Sequence, residues 1–287
     1  MKLSKKHDPT HTATRVNSAQ AQMRRRIREL AKACQDYVLG MSRMEVNKEY
    51  SFETDPFIMA RVRQDIKDLA DSYMLEGDWL VAEYVQPTYA AGTIQAAATL
   101  GAQTKIYNNP PMNAVTTPIY QARVALVKAR TFEEMLGFTD LVSGKVRDIL
   151  GRAILDGLNP LQVAQDIANA VNGELWRGER IARTEITSAL RRGRMDEAEE
   201  ASASTGMRVM LMHISGFAPT SRPHHMARHG TLHTIPAQRL WWSMDGNSIN
   251  CLCNTLEVFV DDDGEPLAPG MLKRAQQIKD KYEAKRT

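Results

Sequence analysis

The sequence predicts an α+β protein: a mostly helical N-terminal region, then a small α+β module with a short antiparallel sheet. Two observations carry that expectation. Apolar residues recur at three- and four-residue steps in several stretches between residues 18 and 157, the period of a helix with one buried face. After Gly206 the texture changes to short apolar runs, RVMLMHI (208–214) and CNTLEVFV (253–260). The second alternates at Leu256, Val258 and Val260, as a half-buried strand does.

In chain order, residues 1–17 carry Pro9 and several Thr and His and read as a basic, mobile arm. A helix follows, with Met23, Ile27, Leu30, Cys34 and Tyr37 or Val38 on one stripe and Arg24, Arg25, Arg26 and Arg28 on its other faces. Cys34 on that stripe reads as a small buried hydrophobe rather than a nucleophile. Asp55 can cap a second helix and Pro56 suits its first position, where a missing N–H costs nothing. Ile58, Val62, Ile66, Leu69 and Tyr73 form its buried side, and Gly77 offers a stop. A helical stretch over 79–106 is interrupted by Pro87, Gly92 and Gly101. Residues 108–118 form a loop, because Pro110, Pro111 and Pro118 lack amide donors and disfavour helix before them.

Helical patterns resume over 119–130 and 132–156. Asn159-Pro160 opens a further helix, with Leu161, Ala164, Ile167, Ala168 and Val171 inward and Asn172-Gly173 closing it. The helix expected over 177–203 has an apolar side of Ile181, Ala182, Ile186, Ala189 and Leu190. Its other side carries Arg180, Arg183, Arg191, Arg192 and Arg194 before Asp196, Glu197, Glu199 and Glu200. That order opposes the helix dipole, so these charges are expected to pair with distant partners or to form a contact surface. DDDG (261–264) is a turn and lacks the spaced oxygens and final Glu of a calcium loop. A basic helix carrying Met271, Leu272, Ala275, Ile278 and Tyr282 ends the chain. The expected organisation is an arm (1–17), a helical region (18–157), an α+β module (158–265) and a basic C-terminal helix or tail (266–287).

The 287 residues are 43% hydrophobic and 25% charged, which excludes disordered and disulfide-dense classes. No apolar run is long enough for a membrane span, so no membrane partner is expected. The opening MKLSKKHDPTHTATR has no apolar core of a secretory leader. Three cysteines are too few for a disulfide framework, and synthesis in a reducing cytoplasm is expected. The net charge of +3 is unevenly spread. Residues 1–32 carry nine Lys/Arg against Asp8 and Glu29, and residues 271–287 carry six against Asp280 and Glu283. The body between them holds 22 basic and 30 acidic residues. Basic ends suit nucleic-acid phosphates or an acidic protein, with Arg24, Arg25, Arg26, Arg28, Lys273 and Arg274 as candidate contacts. Solvated ends that keep the protein soluble are the other reading.

The chemistry concentrates late in the chain. Five of the seven histidines (His213, His224, His225, His229 and His233) lie within 21 residues, and Cys251 and Cys253 follow. Imidazole and thiolate are zinc-type ligands. His225 and His229 are four apart, so a helical turn would place them on one face. The residue types allow a structural zinc built from His225 or His229 with Cys251 and Cys253. The spacing matches no standard finger, and a metal-free cluster packed by hydrogen bonds, with no cofactor, is the other reading. A metal-dependent nuclease would use a His as base with Asn250 or Asp245 orienting it, but Asp245 is the only acid between 201 and 256. No Gly-rich phosphate loop or nucleophile elbow occurs. Trp241-Trp242 can stack on bases or supply bulk to a small domain.

The helix ERIARTEITSALRRGRMDEAEEAS (179–202), a strand, SRPHHMARHG (221–230), a Trp stretch and INCLCNTLEV (249–258) together resemble the phage Mu F-like minor head proteins. In that family an A-R-T-E helix precedes R-x-x-H-x-x-x-x-G, and N-C-R-C then runs into a strand. The matching residues are Arg183, Thr184 and Glu185; Arg222, His225 and Gly230; and Asn250, Cys251 and Cys253. Leu252 stands in the place of the usual Arg, and His229 where the family often has an acid. The resemblance covers about 160–260 and implies a structural constellation with no catalytic residue. It implies a virion protein present in few copies inside the head near the portal vertex, bound to the portal protein and to major capsid or scaffold protein. Packaged DNA is a further implied partner. Its work would be head assembly and DNA packaging or ejection.

Overall fold

A sheet of three antiparallel strands organises the part of the chain where the chemistry lies. In the computed structural model, residues 4–41, 43–46, 49–52 and 57–284 are described. The strands are β3 (Arg208–Ile214), β4 (Leu232–Thr234) and β5 (Asn254–Val260), in the order β4-β3-β5. A two-stranded hairpin, β1 (Arg43–Val46) with β2 (Glu49–Phe52), lies earlier in the chain. Everything else of regular structure is helical, so the mostly helical α+β expectation holds.

The helices are α1 (Ala13–Gly40), α2 (Ile58–Leu75), α3 (Gln86–Gly101), α4 (Pro111–Ala114), α5 (Pro118–Asp156), α6 (Pro160–Asn172), α7 (Leu175–Thr205), α8 (Pro223–Ala227), α9 (Ile235–Ser243) and α10 (Gly270–Glu283). The chain forms two compact units, 1–17, 82–128 and 183–287 in one, 18–81 and 129–182 in the other. Their limits fall inside α1, α5 and α7 and in the helical turn Val81–Val85. The boundary drawn near 158 from sequence lies within the second unit, in the turn between α5 and α6.

The second unit is helical apart from the β1–β2 hairpin. The stripe Met23, Ile27, Leu30, Cys34 and Val38 of α1 is buried, as are Val62 and Ile66 of α2 and Phe138, Val142, Val146 and Leu150 of α5. Full burial of such side chains contributes about 1.5–3 kcal/mol each. Asn159 caps α6 by accepting the N–H of Leu161 at 2.9 Å, and Pro160 occupies the first helical position. Gly77 takes φ +72 just beyond α2, the stop its sequence announces. The proposed cap of α2, Asp55-Pro56, lies outside the described residues. The two helices expected over 119–130 and 132–156 are one continuous helix, with Thr131 buried at the expected break.

In the first unit, strand alternation assigns two faces. Val209 and Leu211 of β3 and Phe259 of β5 share a core with Leu100 of α3 and Met195 and Ala198 of α7. Met212, Val258 and Val260 face the other way, against Ala275 of α10. His213 pairs with Thr255 and keeps the parity of Val209 and Leu211, so it stands on the helix-facing side. The helices approach closely: a Cβ on Gly92 would sit 2.2 Å from the Leu190 carbonyl oxygen, and one on Gly193 would sit 2.3 Å from that of Tyr89.

The N-terminal segment is not a free arm from residue 7 onward. Asp8, Thr10 and Thr12 are buried. Asp8 accepts the N–H of Thr10 at 3.0 Å and that of Ala13 at 2.6 Å, which satisfies donors at the start of α1. Asn254 donates to the Pro9 carbonyl at 3.0 Å, so this segment is pinned to the start of β5. The loop expected over 108–118 contains the single-turn α4, begun by Pro111, where a proline is best tolerated.

Candidate functional site

Three motifs separated in sequence meet beside the sheet. Arg183, Thr184 and Glu185 lie on α7, Arg222 directly precedes the five-residue α8 that carries His225, and Asn250, Cys251 and Cys253 lead into β5. Gly230 takes φ +80 in the turn before β4, a conformation suited to glycine, and donates its N–H to the His213 carbonyl at 2.9 Å. Asn250 also has positive φ, +56, and its N–H donates to Thr184 Oγ1 at 2.9 Å. Arg222 donates to the carbonyls of Gly246 at 3.0 Å and Ile249 at 2.6 Å, fixing the chain just ahead of the cysteines.

Beneath them, Arg191 of α7 is fully enclosed. Its guanidinium donates to the carbonyls of Cys251 (3.2 Å), Cys253 (3.3 Å) and Ser248 (3.4 Å) and to Ser188 Oγ, and lies 4.3 Å from the ring centre of Trp242. Burial pulls its pKa down from the ordinary arginine value, and the neighbouring thiols oppose that.

His225 Nδ1 lies 3.3 Å from Cys251 Sγ and 3.6 Å from Cys253 Sγ. The Cys253 N–H donates to Cys251 Sγ at 3.3 Å. His213 stands beside two of them: its ligand atom and those of His225 and Cys253 lie within 4.8 Å of one another, a set that Cys251 joins only through its contacts with His225 and Cys253. All four side chains are inside the protein, with exposures of 0% for His213, 2% for His225, 7% for Cys251 and 4% for Cys253. Of the two thiols, Cys251 is the more readily ionised. A hydrogen bond from Cys253 draws its pKa well below that of a free thiol, helped by His225 and Arg191 and opposed by burial. The same shared proton, with burial, drives Cys253 upward. Burial, reinforced by the Arg228 charge, holds His213 well below the ordinary histidine range, so it is neutral.

One expected ligand is misplaced. α8 ends at Ala227, so His225 and His229 do not share a helical face. His229 Nδ1 accepts the Ser215 N–H at 3.0 Å, and its ring packs on Phe217. His213, rather than His229, stands beside His225 and Cys253. The basic candidates also divide. Arg24 pairs with Glu179 at 2.7 Å, and Arg26 donates to the Tyr73 carbonyl and lies over Trp79, so both stabilise their own unit. Arg25, Arg28, Lys273 and Arg274 are exposed.

Arg191 and Arg194, on the polar face that the sequence predicts for α7, are both buried. Arg194 makes a two-pronged pair with Glu257 of β5 at 2.6 and 2.9 Å. Farther along α7 the acids find distant cations: Arg239 donates to Asp196 at 2.6 Å and to Glu199 at 2.8 Å. The charge order that opposes the dipole is thus resolved by pairing across the unit. The only sequence signal was that order itself.

A cleft of about 240 Å³ adjoins the cysteines, lined in part by Arg183, Thr220, Arg222, His225 and Asn250. Among the described residues no helix is long and apolar enough to cross a membrane. No family model, curated protein or solved structure matches the chain.

Proposed function

We propose that the chain is a structural minor head protein of a tailed phage, seated in few copies inside the head at or near the portal. There it would assist head assembly and DNA packaging or ejection, with no turnover chemistry. The observation that supports this reading is convergence. The three motifs of the Mu F-like resemblance, 66 residues apart at their extremes of contact, close on one clasp in which polar side chains hold backbone. Thr184 is engaged by the N–H of Asn250, Arg222 by the carbonyls of Gly246 and Ile249, and Arg191 by those of Ser248, Cys251 and Cys253. Groups committed to backbone in this way are positioned to fix loops rather than to turn over a substrate. The His/Cys group contains no carboxylate, which a magnesium-dependent nuclease would call for.

The portal protein and the major capsid or scaffold protein are the proposed partners. Exposed Arg25, Arg28, Lys273 and Arg274 are available to acidic protein or to packaged DNA. Incubating purified full-length protein with plasmid DNA and Mg²⁺, Mn²⁺ or Zn²⁺ separates the structural reading from its enzymatic rival. The structural reading predicts intact plasmid under all three ions. Cleavage that disappears in His225→Asn would replace it with a nuclease.

A further inference from the structure

We propose that His213, His225, Cys251 and Cys253 form a closed, four-coordinate zinc site joining β3, α8 and the start of β5. The inference stands on geometry and is independent of the head-protein reading.

Tetrahedral zinc with Zn–S of about 2.3 Å and Zn–N of about 2.0–2.1 Å holds its nitrogen and sulfur ligands about 3.5 Å apart. His225 Nδ1 lies 3.3 and 3.6 Å from the two sulfurs, on either side of that value. Within the two-cysteine segment the Cys253 N–H donates to Cys251 Sγ and so supports it as a thiolate. A fourth ligand is supplied by a buried ring with an unused nitrogen. His213 is fully buried, Gln238 occupies its Nδ1 at 3.3 Å, and its Nε2 has no hydrogen-bond partner. A buried imidazole nitrogen without a partner carries a desolvation cost that a metal ion would remove. Strand parity explains why this histidine is present: two residues past Leu211, it is carried to the helix-facing side where the cysteines lie.

The electrostatics suit the ion. Two thiolates balance the charge of one Zn²⁺, and the fully buried Arg191, bound to both cysteine carbonyls, favours ionised sulfur beside it. Loading displaces to solvent the one thiol proton that the two sulfurs share. It leaves Nε2 of His225 protonated, so Arg222 gives up its 3.2 Å contact there and keeps its bonds to Gly246 and Ile249. Gln238 then turns its amide oxygen towards His213 Nδ1–H, the outer-shell arrangement typical of metal-bound histidine, and gives up the 2.9 Å hydrogen bond that this oxygen accepts from Arg228. Four protein ligands and no open position make the site structural.

The test is metal analysis of tag-free, full-length protein purified without chelator. About one zinc per chain is expected, falling at least about tenfold in His213→Asn and in Cys253→Ser and unchanged in His229→Asn. Because the ligand variants can fail to fold, wild-type protein stripped of metal is also titrated with Co²⁺ under reducing conditions. Thiolate-to-cobalt charge-transfer bands that saturate at one equivalent are expected. Wild-type protein without near-stoichiometric zinc, cobalt spectra without thiolate bands, or zinc loss in His229→Asn with retention in folded His213→Asn would each overturn the proposal.

Discussion

Thr184 Oγ1 accepts the backbone N–H of Asn250 at 2.9 Å, tying α7 to the loop that delivers the two cysteines. The hydroxyl is buried, and the N–H it satisfies belongs to a residue in the left-handed region, so no regular strand or helix partner replaces it. Thr184→Val keeps the shape and removes the acceptor. It should lower unfolding stability by about 1–3 kcal/mol, whereas Thr184→Ser should retain most of it. Urea denaturation of the three proteins measures this, and a Val variant as stable as wild type would show the bond to be inconsequential.

Close helix approach in the first unit leads to a second expectation. The Cβ that Gly193→Ala adds would sit 2.3 Å from a rigid backbone carbonyl of α3. Overpacking of this kind costs about 1–3 kcal/mol or more, against the roughly 1 kcal/mol that alanine gains over glycine in a helix. The net change should therefore be destabilising. Gly137→Ala, in α5 with open space around the new methyl, serves as the control and should be neutral or stabilising. Thermal melts that rank the two in the opposite order would refute the packing shown here.

Arg194 and Glu257 form an ion pair with almost no solvent contact. Removing one charge strands the other inside the protein, at a cost of about 3–5 kcal/mol. Glu257→Gln should fall in that range, and the double replacement Arg194→Met with Glu257→Leu should cost less than Glu257→Gln alone. Chemical denaturation of both variants decides it. A double replacement that is worse than the single one would mean that the pair is favourable in itself.

Burial, as the largest cause, lowers the pKa of both His229 and His233 below the ordinary 6.5. In the unfolded chain both titrate near the ordinary value, so below it the unfolded state binds more protons than the folded state. Stability must then rise with pH across this range and fall as the solution is acidified through it. Melting temperatures between about pH 5 and pH 7.5 should increase with pH, with a shallower slope in His229→Asn. A flat or inverted profile would contradict the burial of these rings.

Much of the fold was legible because local patterns and burial agree. The stripe from Met23 to Val38, the Asn159 cap, and the runs that became β3 and β5 each announce an element within one stretch of chain. What sequence could not show depends on contacts between stretches. Arg191 and Arg194 look like a solvated face until Glu257 and the carbonyls at 248, 251 and 253 are laid over them. His213 was one of a cluster of five histidines, and its selection over His229 rests on strand parity and on where α8 stops. The segments of each compact unit are not contiguous, so no single boundary in the sequence could mark them.

The proposal that the chain binds within a phage head is tested most directly by mixing full-length protein with a tailed-phage portal protein and following the mixture by light-scattering size exclusion. A stable complex with fewer copies of this chain than of the portal subunit is expected. Full separation of the two proteins, together with ion-dependent plasmid cleavage lost in His225→Asn, would contradict it.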